Sequence, residues 1–145
     1  MRTDLPPVEF AFPGPLRDRL IAAIRTGAKC TTSSLLREYE VGGDPLPVVG
    51  EQGVVIDSEG HELFVIETTE VKIVPFGDVP LEHAIGEGEG YRTVTQWREG
   101  HAAYWNSEEM SSVLGKDFIL DDSTPVVMER FRVLGPCEAQ RSTDT

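Results

Sequence analysis

Cysteine and histidine are scarce in this chain, and no hydrophobic run approaches the length that a membrane helix needs. The 145 residues include two cysteines, Cys30 and Cys137, and three histidines. A small secreted domain usually carries more cysteines as a disulfide framework. Neither cysteine lies in a CxxC pair and the histidines are scattered, so we predict no metal site and no cofactor. We expect two free thiols, with a disulfide between them as the open alternative.

Membrane and export signals are also missing from the sequence. A membrane helix needs roughly 18 apolar residues in succession, and no such run occurs. The first seven residues, Met-Arg-Thr-Asp-Leu-Pro-Pro, lack the apolar stretch of a secretory signal. We therefore predict a cytoplasmic protein with no membrane contact.

Positive charge is scarce as well. Against 25 acidic residues there are 13 basic ones, which gives a formal charge of −12. This charge opposes general affinity for nucleic acid, because such affinity depends on cations that neutralise phosphates. A local basic pocket for one nucleotide stays compatible with it. Of the three lysines Lys29 stands out, because no acidic residue lies within eight positions of it.

The length fits one domain, residues 1–145, with a core over about 8–134 and a flexible N-terminal arm and C-terminal tail. A helix is predicted to begin at Pro15 and to end at Gly27, a residue suited to the left-handed C-cap. Its apolar positions recur at helical spacing: Leu16, Leu20, Ile21 and Ile24. We place Arg17, Asp18 and Arg25 on its outer face.

The rest of the chain predicts an α+β fold. Residues 28–33 read as a polar turn before a short helix from Ser34 to about Tyr39. Strands are predicted over 53–57, 62–74 and 126–133, the second of them long enough to require a bulge. In that strand we expect Leu63, Val65, Glu67, Thr69, Val71 and Ile73 to share the packed face.

A glycine-rich loop, Gly86 to Gly90, precedes a helix that Thr93 caps with Gln96. The loop is a poor phosphate cradle, because its own acidic side chains would repel phosphate. Four large side chains fall on one face of the helix: Trp97, His101, Tyr104 and Trp105. They are either core residues or one wall of a nucleobase pocket.

Lys29 and Glu87 are the main candidates for chemistry. Lys29 follows the glycine cap and lies among hydroxyl side chains. If burial lowers its pKa, it can act as the base for one of these hydroxyls. If it stays charged, it can bind a phosphate. The alternative is a solvated loop lysine. Glu87 lies between glycines and is either a carboxylate in a cleft or a solvated loop acid. Arg98 is either a ligand contact or a solvated side chain. His101 is either a ligand contact or a structural histidine.

Several fragments together resemble the ASCH (activating signal cointegrator homology) domain family. They include Gly27-x-Lys29-x-x-Thr32, Pro47-x-Val-Gly50 and Phe76. The others are Ala84-x-x-Glu87-Gly88-Glu89-Gly90, Trp97-Arg98-x-x-His101-x-x-Tyr104 and Glu129-Arg130-Phe131. Their order and spacing cover about residues 8–134.

The resemblance implies a fold similar to the PUA domain, a small β-barrel of mostly antiparallel strands with covering helices. It also implies a partner that is RNA, a nucleotide or a modified nucleoside. Some small members of the family remove the acetyl group from N(4)-acetylcytidine, and a longer member is described as a ribonuclease. In the amidohydrolase members the active site corresponds to Lys29, Thr32 and Glu87.

In such a site Thr32 would be the nucleophile and Lys29 its base or activator, and Glu87 would orient the lysine or shuttle the proton. The N-terminus of the short helix near Ser33 and Ser34 would supply the oxyanion donor. Ser33, Trp97, Arg98 and His101 would bind the substrate. Two features depart from the small amidohydrolases, which have an arginine where Ser34 lies and lack the long aromatic helix. Three functions therefore stay open: a hydrolase of a modified nucleoside or amide, a ribonuclease, and a non-catalytic RNA or nucleotide-binding module.

Overall fold

A curled five-stranded sheet forms the centre of the protein, which a computed structural model describes over residues 4–136. The strand order is β1-β3-β4-β5-β2. Only β1 and β3 pair in parallel, and the other neighbours are antiparallel. The sheet is not closed into a complete barrel within the described residues. The strands are β1 Pro7–Val8, β2 Thr31–Leu35, β3 Gln52–Ile56, β4 Glu62–Pro75 and β5 Pro125–Pro136.

Helices cover the sheet, so the predicted α+β class is confirmed. They are α1 Pro15–Thr26, α2 Leu36–Gly42, α3 Leu81–Gly86, α4 Val94–Trp105 and α5 Glu108–Leu114, with a 3-10 turn over Phe76–Asp78. The sequence did not predict α5. Between residues 4 and 136, no helix combines the length and the apolar character needed to cross a membrane.

Helix α1 begins at Pro15 and ends at Gly27, whose φ of 85° is left-handed, as predicted. The prediction that Arg17 faces outward was wrong, because this side chain is only 2% exposed. Its guanidinium donates to the carbonyl oxygens of Phe10, Ala11 and Asp57 and to the carboxylate of Glu9. A buried arginine is tolerated when its donors are satisfied in this way. Arg17 thereby ties the N-terminal arm and the β3–β4 turn to α1.

The segment after the helix cap also differs from the prediction. Residues 31–35 form β2, an edge strand paired with β5, and helix α2 begins at Leu36 rather than at Ser34. The backbone N–H of Leu35 donates to Glu38 Oε2 at 2.7 Å, so Glu38 caps this helix in place of Ser33 or Ser34. Pairing with β5 satisfies the backbone of this polar segment and outweighs the preference of its hydroxyls for a turn or a cap.

Strand β4 is long and irregular, as predicted. Its register against β5 shifts between Val65 and Ile66 and again between Thr68 and Glu70. Because a bulge interrupts the alternation of the two faces, the predicted packed face does not run along the whole strand. Phe64, Ile66 and Thr68, which lie outside the predicted face, are buried. Of the predicted face Val65 is buried, whereas Thr69 is exposed and Ile73 is 47% exposed.

Two groups of buried side chains pack against the sheet. One lies under helices α4 and α5 and includes Trp97, Trp105 and Leu114. The other packs α1 and the N-terminal arm against β3, β4 and β5, and includes Phe10, Ile24, Val55 and Phe131. The predicted flexibility of the arm and the tail stays a prediction. Cys137 and the end of the tail lie outside the described residues, while Cys30 is a free thiol.

Candidate functional site

A cleft of about 780 Å³ lies between the N-terminal arm, strand β2, helices α2 and α4, and the glycine-rich loop. Five of the residues predicted from the sequence line this cleft: Lys29, Thr32, Ser33, Glu87 and His101. The structure therefore brings residues that are up to 72 positions apart in the chain to one concave surface. It is the natural place to look for a ligand.

Lys29 is buried at the floor of the cleft, with 3% of its surface exposed. Its Nζ donates to the carbonyl oxygen of Thr31 at 2.8 Å and to that of Glu87 at 3.4 Å. The same atom lies 5.6 Å from the centre of the Phe10 ring. Burial lowers the pKa of Lys29, and the nearby charges of Glu87 and Glu89 oppose this only in part. Lys29 is therefore not a solvated loop lysine.

Close backbone packing holds the Lys29 loop against the glycine-rich loop. The N–H of Cys30 donates to the carbonyl oxygen of Gly86 at 2.7 Å. At Gly88, whose φ is +72°, a Cβ would lie 2.8 Å from backbone atoms of Ala28 and Lys29. Only glycine permits this approach. The glycines therefore act as spacers that let Glu87 reach Lys29.

Glu87 is the most densely hydrogen-bonded side chain of the site, although it is only 2% exposed. Its Oε2 accepts from Ser33 Oγ and from Trp97 Nε1, both at 2.7 Å, and its Oε1 lies 3.0 Å from His101 Nε2. Burial by itself raises the pKa of Glu87. The hydrogen bonds from His101 and His83 and the positive charge of His101 outweigh burial and hold that pKa well below its usual range. Glu87 is thus an ionised carboxylate inside the protein.

His83 joins this network from helix α3, and the sequence analysis did not identify it. Its Nε2 lies 2.7 Å from Ser33 Oγ and 3.4 Å from Glu87 Oε2. Because Ser33 has one hydroxyl proton and donates it to Glu87, His83 donates to Ser33 in this arrangement. The spacing of four residues between His83 and Glu87 was the available signal, since it places both on one face of a helical turn.

Thr32 lines the cleft but does not take part in the hydrogen-bond network around Glu87. Its side chain points to the opposite face of β2 from Thr31 and Ser33, because side chains alternate along a strand. No hydrogen bond of the Thr32 hydroxyl is found within residues 4–136. Lys29 Nζ contacts the carbonyl oxygen of the peptide that joins Thr31 to Thr32, at 2.8 Å. The predicted oxyanion donors at a helix N-terminus near Ser33 do not exist, because this segment is a strand and α2 begins later.

Trp97 and Arg98 do not line the cleft. The Trp97 ring is fully buried in the core beneath α4, and only its indole N–H reaches the site, through Glu87. Arg98 pairs with Asp122, and its guanidinium lies 5.2 Å from the centre of the Phe76 ring. Of the aromatic face of α4, His101, Tyr104 and Trp105 border the cleft, joined by Tyr91 from the preceding loop.

Three groups of the cleft have the spacing of metal ligands, because ligand atoms of Glu87, Glu89 and His101 lie within 4.8 Å of one another. However, His101 Nε2 and Glu87 Oε1 already face each other as donor and acceptor. We therefore assign no metal ligands here.

The cleft is strongly acidic. Among residues 4–136, one lysine, Lys29, lines the cleft together with seven carboxylate side chains, which are Glu9, Glu38, Asp44, Glu51, Glu87, Glu89 and Glu129. Burial raises the pKa of Glu38, and burial together with a neighbouring carboxylate raises the pKa of Glu89 and Glu129. Such a lining repels polyanions and favours neutral or cationic ligands that offer hydrogen-bond donors.

Fold and site together define a PUA-like α+β domain with a buried lysine next to a buried glutamate in an open cleft. The model of the ASCH domain family matches residues 9–135, and the chain belongs to this family, which is broadly associated with RNA. An ASCH domain from Lactobacillus crispatus JV V101 has a similar crystal structure, with a TM-score of 0.78 and 26% identity over 92% of this chain and 82% of that one. A protein from Enterococcus faecalis V583 is similar at a TM-score of 0.73 and 27% identity over 86% of this chain and 72% of that one. No curated protein matches the chain.

Proposed function

We propose that the protein is a small hydrolase that cleaves an amide on a modified nucleoside or a related small molecule. The observation that carries the proposal is Lys29, an amine buried at the floor of a cleft whose hydrogen bonds go to carbonyl oxygens only. Burial lowers the pKa of Lys29, so its amine becomes uncharged, and able to accept a proton, at lower pH than a solvated lysine. A cytoplasmic location stays part of the proposal.

The roles follow from the positions of the groups. Thr32 Oγ1 attacks the acyl carbon while the uncharged amine of Lys29 accepts the hydroxyl proton. The resulting ammonium returns this proton to the leaving nitrogen as the amide bond breaks. Water then hydrolyses the ester on Thr32, and the acid is released. The backbone carbonyl of Glu87 accepts a hydrogen bond from Lys29 Nζ and so orients the amine.

The charge of the cleft favours this function over the ribonuclease. A phosphodiester would place negative charge among these carboxylates, and within residues 4–136 the only basic side chains that line the cleft are Lys29 and His101. A nucleoside carries no phosphate and presents hydroxyl and amino donors that carboxylates can accept. The same argument weighs against a module that binds long RNA.

The test is release of the acid from N(4)-acetylcytidine and from a panel of acylated nucleosides and amides, with a short RNA as a parallel substrate. We expect turnover of at least one amide by the wild-type protein and loss of turnover in Lys29→Met and in Thr32→Val. Lys72→Met and Thr69→Val are matched controls, because both side chains are exposed on β4 away from the cleft. These two variants should retain full activity.

Two results would reject the proposal. Equal turnover by wild-type protein and Lys29→Met would show that the activity lies elsewhere or comes from a contaminant. RNA cleavage that depends on Lys29, without turnover of any amide, would favour the ribonuclease instead.

A further inference from the structure

His101 has a hydrogen-bonding geometry that fixes its charge. Its Nδ1 lies 3.1 Å from the carbonyl oxygen of Trp97, which can only accept, so Nδ1 carries a proton. Its Nε2 lies 3.0 Å from Glu87 Oε1. The other oxygen of that carboxylate already accepts from Ser33 and Trp97, as an ionised carboxylate does. Both nitrogens of His101 are therefore donors, and the ring is an imidazolium.

This pairing leaves the buried cluster with one carboxylate and two basic groups. His101 faces the Glu87 carboxylate directly, whereas Lys29 touches only its backbone carbonyl. Among residues 4–136, no carboxylate oxygen lies within ion-pair distance of Lys29 Nζ. A second positive charge here would lack a partner, and an unpaired buried charge is costly. Of the two basic groups, Lys29 is the one whose positive charge the site does not balance.

Other charges that face Lys29 do not change this conclusion. Glu89 approaches from the glycine-rich loop, but within residues 4–136 it makes no ion pair with Lys29 Nζ. The Cys30 thiol is adjacent in the chain, and the Phe10 ring covers the amine from the N-terminal arm. His83 directs its proton to Ser33. None of these groups gives Lys29 Nζ a direct carboxylate partner.

We propose that His101 is a positioning residue that engages the charge of Glu87 and thereby keeps Lys29 an uncharged amine. For catalysis this inference rests on the proposed function, because a neutral amine is the form that can take the proton of Thr32. The effect of His101 on the ionisation of Lys29 does not depend on whether the protein catalyses a reaction. The role differs from substrate binding, because His101 acts through Glu87.

The experiment is an NMR titration of the full chain with ¹³Cε-labelled lysine. With three lysines in the sequence the spectrum holds three signals, and Lys29→Arg assigns the one of interest. We expect the Lys29 signal to titrate at lower pH than those of Lys72 and Lys116. In His101→Gln the amide can still donate to Glu87 but carries no charge, so the Lys29 midpoint should move upward toward the other two.

His61→Gln is the matched control, because His61 is an exposed histidine on the β3–β4 turn that pairs with Asp57. It should leave the Lys29 midpoint unchanged. An unchanged or lower Lys29 midpoint in a folded His101→Gln protein would overturn the proposal. If His101→Gln does not fold, the ¹⁵N shifts of the wild-type ring decide, since a neutral His101 at neutral pH would also overturn it.

Activity separates this inference from the proposed function. If an amide is turned over, the acid limb of the pH–rate profile should move upward in His101→Gln, with a loss of about tenfold in kcat/KM at fixed pH for each pH unit. Activity should recover at higher pH. If no amide is turned over while the Lys29 midpoint still shifts, the proposed function fails and the role of His101 stands.

Discussion

Gly88 is the residue through which the stability of the site can be tested most directly. Its φ of +72° costs an alanine about 1–2 kcal/mol, because a Cβ crowds the following carbonyl in the left-handed region. The added Cβ would also lie 2.8 Å from the backbone N and the Cβ of Lys29. These atoms cannot rotate away, so overpacking adds about 1–3 kcal/mol. Gly88→Ala should therefore cost about 2–5 kcal/mol of unfolding free energy.

Gly90 provides the matched control two residues further along the same loop. Its φ is +87°, but a Cβ there meets nothing within 4 Å. Gly90→Ala should lose only the conformational part, about 1–2 kcal/mol. Urea denaturation measures both, and thermal midpoints should fall by about 2–4 °C for each kcal/mol in a chain of this size. Equal losses in the two variants would refute the claim that the two loops are in backbone contact.

Two further predictions concern buried basic side chains. Arg17→Ala should lower the unfolding free energy by roughly 3–5 kcal/mol, because it leaves buried carbonyl oxygens without donors. As a control, Arg19→Ala at an exposed position should change it by about 0.5 kcal/mol or less. Similar losses for the two variants in urea denaturation would contradict the buried network. Lys29→Met removes a group whose folded pKa is lowered, so between that pKa and 10.5 the unfolded wild-type chain binds more protons than the folded one. Wild-type stability should therefore rise relative to Lys29→Met as pH increases through this window, by up to about 1.4 kcal/mol per pH unit. A constant difference between the two proteins would show that Lys29 has an ordinary pKa.

The sequence predicted α1 and its glycine cap, the long bulged strand and the capped helix α4, because each carries a strong local signal. It failed at residues 31–35, where a polar run forms an edge strand only because β5 lies beside it. Arg17 was misplaced for a different reason. It stands three and four residues before Leu20 and Ile21, on the apolar face, and spacing already indicated burial. The positive charge of Arg17 favoured an exposed position. The carbonyl oxygens that allow its burial come from distant segments, which the local sequence does not reveal.

In the candidate site, too, local signals could be predicted and contacts between distant segments could not. Lys29 and Glu87 could be selected from a scarce lysine and a glycine-flanked acid, with a family resemblance. Their environment could not, because it depends on contacts between residues 58 positions apart. The hydrogen bonds from Ser33, Trp97 and His101 converge on Glu87 from β2 and α4. Local patterns carry no information about such convergence.

The same contacts connect the stability of the fold to the chemistry we propose. A carboxylate as buried as Glu87 remains ionised only because several donors meet it, and those donors come from elements anchored in the core, such as Trp97. Once the carboxylate is engaged by His101, the nearby amine of Lys29 lacks a direct counter-ion and burial favours its neutral form. The acidic lining at the mouth of the cleft then repels phosphates, which would otherwise bind an exposed lysine. A buried amine that is shielded from anions is suited to proton transfer rather than to phosphate binding, and this difference separates a nucleoside amidase from a site that holds RNA.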